Sequence, residues 1–334
     1  MKHKLSKLQP IPFKRIIPVL VYVLGLTLSA NASRYDKVDS FVVKVSFPAS
    51  TVTEYDSLVA IFNKQFSNEE EKVRAVYFWV TENISYDAKG LFSGNMIFEK
   101  VGALKNKRCV CAGYADLLDH AFKKMGLESK YLTGSARLLD GLAQWNPDAW
   151  QAGHAWNAVK VHGEWKLIDA TWASGYLWGD RFEKKRKDVW FFTPPDIFLL
   201  SHFPGNPMFQ LTDRVITEAE FYEQPFYLWE FETSGINSIS HRRLEITGEP
   251  GDEVLLSFGS AKEISHLIIS DRDDKVVKTL PVFKKEGKYY CRYLVGSIKR
   301  GSYYFGFMYM DENKKCIWRS DHVLGYFLTV SDTQ

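Results

Sequence analysis

Between Cys111 and Met125 the apolar residues Ala115, Leu118, Phe122 and Met125 recur at the spacing of one helical face. Leu117 and Ala121 widen the stripe, and Gly126 stands where a helix closes in a left-handed turn. A stripe of that width has to be buried, and the extended runs that follow supply the surface. Glu128 to Gly134 reads as a strand, and two further runs flank His162-Gly163, the signature of a two-residue hairpin turn. That turn sets a register in which Val161 pairs with Glu164, Ala158 with Leu167, Trp156 with Asp169 and His154 with Thr171. The helix is therefore expected to pack its stripe against a sheet, which would hold Cys111 in place.

An earlier helix is signalled after Ser67. Ser67 with Glu70, or Asn68 with Glu71, caps its start; Val73, Val76, Tyr77 and Val80 share a face, and it ends near Asn83. Upstream, FVVKVSFPA reads as extended and Leu58 to Phe62 as a short apolar segment. Aromatic loops are expected over 139–153 and 173–188, and the Pro and Gly of WFFTPPDIFLLSHFPGNPMFQL argue against a long helix there. After about residue 220 the pattern becomes short apolar or alternating runs between polar turns, an all-β signature best read as a sandwich-like domain. The expected division is 1–32, 33–218 and 219–334.

The first of these segments is read as a signal peptide. A basic start, the apolar stretch from Ile16 to Leu28 and the small residues Ala30-Asn31-Ala32 form the pattern of a cleaved leader. Pro18 and the brevity of the apolar stretch weigh against a permanent anchor, which needs about 20 apolar residues. The expectation is an exported, periplasmic or extracellular chain with no stable membrane span after cleavage. Export makes disulfides available, so Cys291 and Cys316 either bridge, if their strands adjoin, or remain two unpaired buried thiols. The 43 basic and 40 acidic residues leave a formal charge of +3, which argues against a nucleic-acid partner. The one basic run, Glu183 to Asp188, reads as a solvated loop.

Three residues carry candidate chemistry. Cys111 stands at the start of a helix, where unpaired N–H groups and the positive dipole end favour thiolate. Gly113 would allow close approach of a substrate carbonyl or of neighbouring backbone, and the Cys111 N–H could serve an oxyanion. In the hairpin register His154 and Asp169 are diagonal neighbours on one face, about 7 Å apart at the backbone, with Trp156 and Trp165 beside them as a wall against water. Asp169 would then fix the His154 tautomer and leave its other nitrogen facing the thiol. Cys109 is less favoured by the helix dipole. His120 lies on the helix, His162 in an exposed turn, and His202 either lines the cleft or, as the preferred reading, is a satisfied packing histidine. Asp116 and Asp119 are expected to face solvent. The Cys109/Cys111 pair is too sparse for zinc, and no cofactor or metal motif stands out.

At these residues the chain resembles the transglutaminase-like superfamily, most closely its kyphoscoliosis-peptidase-like branch. The resemblance rests on EEKVRAVYFWVTENISYD, CVCAGYADLLDHAFKKMGLESKYLTG, GHAWNAVKVHGEWKLIDATWASG and WFFTPPDIFLLSHFPGNPMFQL, spanning roughly 55–212. It implies a papain-like α+β core, a helix packed against an antiparallel sheet, with Cys111 as nucleophile, His154 as base and Asp169 as orienting acid. Cys109 replaces a glycine frequent in the family, and Phe209 stands where tryptophan is common. The implied chemistry is acyl transfer on peptide or glutamine-type amides, with hydrolysis ahead of cross-linking and with protein or cell-envelope peptides as substrates. The competing readings are an inactive protein-binding or cell-surface module and a polysaccharide binder using its aromatic loops.

Overall fold

The computed structural model describes residues 34–331 other than 46, 138–150, 229, 312 and 314. The signal-peptide reading of 1–32 and most of the loop expected at 139–153 lie outside the described residues. The architecture is α+β: N-terminal helices, antiparallel sheets, then a β-sandwich-like half-barrel.

Helices α1 (Asp36–Val45), α2 (Val52–Gln65) and α3 (Glu69–Asn83) open the fold. The stretch expected to be extended, FVVKV, is helical. Its valines favour strand locally, but Asp36 and Asp39 occupy the first turn, Lys44 the last, and Val38 and Val42 bury one face. Tertiary packing decides the outcome, since Asp39 pairs with the fully buried Arg74 of α3 at 2.6 Å. The Leu58 to Phe62 segment is the centre of α2, whose start is a Thr51/Glu54 capping box. Asn68 caps α3 by accepting from the N–H groups of Glu70 and Glu71. That helix is buried from Val73 to Thr81 without interruption, so the single stripe expected for it understates its central position.

Strands β1 (Ser85–Tyr86) and β2 (Arg108–Cys109) pair in parallel around the short helices α4 (Ala88–Ser93) and α5 (Lys100–Asn106). The chain then enters α6 (Cys111–Lys124), where Ala115, Leu117, Leu118, Ala121 and Phe122 are buried and Gly126 is left-handed at φ +80°. This helix lies on the strands β3 (Ser129–Arg137) and β4 (Gln151–Val161). With β5 (Glu164–Ile168) completing the hairpin, Val161 pairs with Glu164 and Ala158 with Leu167, in the expected register, across a turn with His162 and Gly163 at positive φ.

The ladder stops at Asn157 opposite Ile168. Asp169 leaves the strand to cap the short helix α7 (Ala170–Ser174), so the Trp156–Asp169 and His154–Thr171 pairs do not form. The region expected as a loop at 173–188 holds a second hairpin, β6 (Gly175–Trp178) with β7 (Arg181–Lys184). The basic run 183–188 starts in β7 and is exposed at Glu183, Lys184, Lys185 and Asp188, as expected of a solvated segment, but two of its side chains are anchored. Lys184 Nζ donates to the Ile84 carbonyl at 2.8 Å, and the Arg186 guanidinium lies 4.3 Å from the Phe78 ring centre. Strands β8 (Phe191–Thr193) and β9 (His202–Pro204), separated by α8 (Pro195–Phe198), complete the site sheet in the order β8-β5-β4-β3-β9.

The remaining strands form one nine-stranded sheet: β10 (Phe226–Tyr227), β11 (Ile236–Ile239), β12 (Glu245–Ile246), β13 (Glu253–Ser260), β14 (Ile264–Ser270), β15 (Val276–Lys285), β16 (Lys288–Leu294), β17 (Gly301–Met310) and β18 (Cys316–Leu328). It is antiparallel throughout except where β12 meets β18. Cys291 on β16 and Cys316 on β18 are separated by β15, β14 and β17, and both are free thiols, one buried and one exposed. The bridge required adjoining strands, and these do not adjoin. Among the described residues no helix is long and apolar enough to cross a membrane.

Candidate active site

Cys111 is the first residue of α6, and the preceding Val110 offers no side-chain cap. The first turn of a 14-residue helix thus presents its N–H groups and positive end to the thiol. Burial by itself would raise the Cys111 pKa. A hydrogen bond with His154, the charge of that ring and a bond from the Ala155 backbone outweigh burial, and the thiol is held below its ordinary value. Cys109, two residues earlier, is buried on β2 and pushed well up, first by burial and then by the neighbouring Cys111. The two thiols of C-x-C are therefore opposites: one favours thiolate and the other resists it.

His154 comes from the middle of β4, opposite Gly134. Its Nε2 lies 2.8 Å from Asp169 Oδ2, leaving Nδ1 as the ring nitrogen available to Cys111. Burial pushes His154 down, but the Asp169 charge and hydrogen bond prevail and the imidazole is raised above its ordinary range. Asn157, three residues on, donates from Nδ2 to the Ala115 carbonyl of α6 at 3.0 Å, tying the histidine strand to the cysteine helix.

Asp169 is fully buried and satisfied on both oxygens. Oδ1 accepts from the N–H groups of Thr171 at 2.8 Å and Trp172 at 3.1 Å, the capping bonds of α7. Oδ2 accepts from His154 and also from His202 Nε2 at 3.0 Å. Burial would raise its pKa, yet the charge and hydrogen bond of His154 and the bond from His202 hold it well below the usual carboxylate range. Asp169 reaches His154 because it leaves the hairpin and turns back as a cap, not because it stays in register.

His202 is buried among aromatic rings and bonded on both nitrogens, as expected of a packing histidine, and its bond to Asp169 is the role the sequence reading did not give it. Its neighbour in the chain, FLLS, carries no spacing that points to Asp169. The aromatic wall also differs from expectation. Trp156 and Trp172 lie 5.9 and 5.5 Å from the His154 ring centre, whereas Trp165 packs on Phe209 at 5.4 Å. Gly113 accommodates Cys109 and not a substrate, since a Cβ there would stand 2.5 Å from the Cys109 Cβ. Asp116 and Asp119 are half-buried: Asp116 accepts from the Lys100 N–H at 2.9 Å and Asp119 from the Ser129 hydroxyl at 2.6 Å. His120 is bonded to Asp56 at 2.6 Å, and His162 is exposed.

His154, Asp169 and His202 also bring three ligand-type atoms within 4.8 Å of one another. Those atoms are already joined by hydrogen bonds, so the arrangement is a carboxylate receiving two N–H donors and not a metal cage. What the cluster can do chemically is sustain a thiolate beside an imidazolium whose other nitrogen is held by a buried anion.

Comparison with known proteins places the same residues in context. Residues 57–170 match the Transglutaminase-like superfamily, a stretch that contains all three sequence-predicted residues. The kyphoscoliosis peptidase of Homo sapiens is 26% identical over 215 residues, covering 64% of this chain and 32% of that protein. Its Mus musculus counterpart is 26% identical over 207 residues, covering 61% and 31%. The Lim and transglutaminase domain protein ltd-1 of Caenorhabditis elegans is 20% identical over 203 residues, covering 55% and 27%. The chain spans about a third of the length of the first two relatives.

Proposed function

We propose that this chain, which belongs to the transglutaminase-like superfamily through residues 57–170, is a cysteine-dependent acyl-transfer enzyme acting on peptide or glutamine-type amide bonds, with hydrolysis as the main outcome. The observation that carries the reading is the His154 ring fixed by the buried Asp169, with Cys111 at a helix start and its thiol held below its ordinary pKa by that ring. In this reading Cys111 is the nucleophile, His154 the base and acid, and Asp169 the orienter.

The thiolate of Cys111 attacks the amide carbon and forms the C–S bond while the carbonyl oxygen takes the negative charge, facing the Cys111 N–H at the helix start. As the C–N bond breaks, His154 delivers its Nδ1 proton to the leaving amine, and a thioester remains. Water then gives a proton to Nδ1 as its oxygen attacks the thioester. The C–S bond breaks, the acid is released and the thiolate returns beside the imidazolium. An amine in place of water would give transfer. The name of the relatives, kyphoscoliosis peptidase, supports hydrolysis. The leader-like segment 1–32 fits an exported protein acting on protein or cell-envelope peptides in a periplasmic or extracellular setting. Residues 33–218 carry the chemistry in this reading, and 219–334 form an appended β domain.

The test is alkylation of the full chain by iodoacetamide near pH 6, resolved by peptide mass spectrometry because Cys316 is also exposed. Cys111 should be modified ahead of Cys316, with no signal at that position in C111A and a loss of roughly 100-fold in H154A. Equal rates in H154A and the unaltered chain would sink the pairing. Release of cleaved peptide against incorporation of a labelled amine then separates hydrolysis from transfer.

A further inference from the structure

Asp169 serves two imidazoles, and the chemistry above uses one. His202 Nε2 and His154 Nε2 both meet Asp169 Oδ2, at 3.0 and 2.8 Å. An ionised carboxylate only accepts, so both nitrogens donate. On the other side of its ring, His202 Nδ1 lies 2.8 Å from the Ser201 hydroxyl, which also reaches the Phe198 carbonyl at 3.3 Å. Donating along the shorter contact, Ser201 keeps the His202 proton on Nε2. The ring is fully buried, stacked on Phe198 at 4.0 Å and flanked by Trp172, Trp156 and Trp190 at 4.4, 5.2 and 5.2 Å.

The sheet explains how two imidazoles come to share one oxygen. His154 pairs with Gly134 and His202 with Ala136, on opposite sides of β3. Residues two apart on a strand share a face, so both rings project from the same side, where Trp156 packs over Gly134 and against both imidazoles. Their centres are 5.3 Å apart.

We propose that His202 is a positioning residue of this site: by donating its Nε2–H to Asp169 Oδ2, it pins the carboxylate toward His154 and takes up part of the negative charge that would otherwise act on His154 alone. The proposal rests on the reading of Cys111 and His154 as a nucleophile and base pair. Burial holds His202 neutral, its pKa lowered to about 4 against the opposing bond from Asp169. The titratable groups that face it are His154 from β4 and Asp169 from the end of β5. The other packed elements present Ala136, Trp172, Trp190 and Phe198. The Tyr77, Tyr86 and Tyr114 phenols, which feel the Asp169 charge, are raised by burial and stay protonated.

Three variants of the full chain test the role. H202F fills the aromatic cage without a donor, H202N carries an amide that stops short of Asp169, and H202Q returns an N–H near the Nε2 position. The readout is the rate of Cys111 alkylation by iodoacetamide from pH 4 to 12, with circular dichroism to follow the fold. In H202F and H202N the upper step of the profile, where His154 loses its proton, should move up by about one pH unit, because the undivided carboxylate holds the imidazolium longer. H202Q should return toward the original profile. Superimposed profiles, a downward move or no recovery in H202Q would each overturn the role, and if H202F fails to fold, H202N and H202Q decide it. Alkylation needs no turnover, so shifted profiles without any hydrolysis would support the role of His202 while removing the catalytic reading. An H154A rate equal to that of the unaltered chain would remove both. A slowed H154A with superimposed H202F, H202N and original profiles would remove only this proposal.

Discussion

The two sheets of this molecule bury different things. Behind β3, β4, β5 and β9 the interior holds Arg137, His154, Asp169 and His202, each 8% exposed or less. From β10 onward the described buried polar side chains are hydroxyls, Ser234, Ser270, Ser320 and Thr329, alongside tyrosines and Cys291. Charged pairs there stand at the surface, such as Arg292 with Glu253 and Arg319 with Asp321. Burying a charge is costly unless its bonds are completed, and exposed pairs contribute little. The second sheet follows the inexpensive course. The first departs from it at two places: Arg137, whose Nη1 donates to the Phe221 and Gln224 carbonyls, and Asp169, which receives four N–H donors. A buried cluster of titratable groups such as the second marks chemistry more often than scaffolding.

The largest effect should come from breaking that cluster. In D169N the side chain keeps its shape but can accept on one atom only. With its oxygen toward the Thr171 and Trp172 N–H groups, the new amide faces both imidazoles, which must then carry their protons on Nδ1. His154 could then take the Cys111 proton only by placing an Nε2–H against the amide NH2, so the thiolate–imidazolium pair would be lost without a large change in fold. Cys111 alkylation near neutral pH should fall by about 10- to 100-fold, approaching the loss in H154A, read by the same peptide-resolved assay, while the circular dichroism spectrum persists. An unchanged rate would make the first sheet as chemically inert as the second.

A smaller contrast concerns pH. An unfolded histidine titrates near 6.5, whereas folded His202 is lowered to about 4 by burial. Between those values the unfolded chain binds the extra proton, so stability falls as pH drops through that window. The loss at this group is of order 2 to 3 kcal/mol, measured as urea midpoints at pH 7 and pH 4.5. H202F should flatten the slope. His241, at the edge of the second sheet, is lowered by burial too and adds in the same sense, so an H202F slope identical to the original would assign the effect to the wrong sheet.

What could be read without coordinates divides along the same line. Local chemistry was legible: the α6 stripe with its glycine stop, the Asn68 cap and the His162-Gly163 turn each follow from a few adjacent residues. The β-rich second half was legible in kind, because short apolar or alternating runs between polar turns become strands, with clean alternation of burial in β16 and consecutive buried residues in β14. Contacts that depend on distant segments were not. FVVKV becomes helix because Arg74 and α3 wait for it, and Trp172 replaces Trp165 at the wall because Asp169 breaks the ladder. His202 joins Asp169 across two intervening strands, which no spacing in the chain encodes.

The smallest effect tests whether the two sheets act independently. Cys291 lies on β16 between Leu256 of β13 and Val282 of β15, fully buried. Its pKa is pushed up to about 12 by burial alone, with none of the helix end or imidazole that acts on Cys111. The same side chain thus has opposite chemistry in the two places, for reasons of environment only. In the folded chain Cys291 should stay unmodified while Cys111 reacts, and should become reactive once denaturant opens the second sheet. C291A removes one buried sulfur and leaves a small void, costing about 1 kcal/mol, measured as a shift in urea midpoint. The Cys111 rate should not change. The hydrophobic core does run from one sheet to the other, with Trp190 touching His202 at 5.2 Å and Tyr227 at 5.6 Å. A C291A rate that differs from the original would therefore mean that packing in the second sheet reaches the Asp169 cluster through that tryptophan.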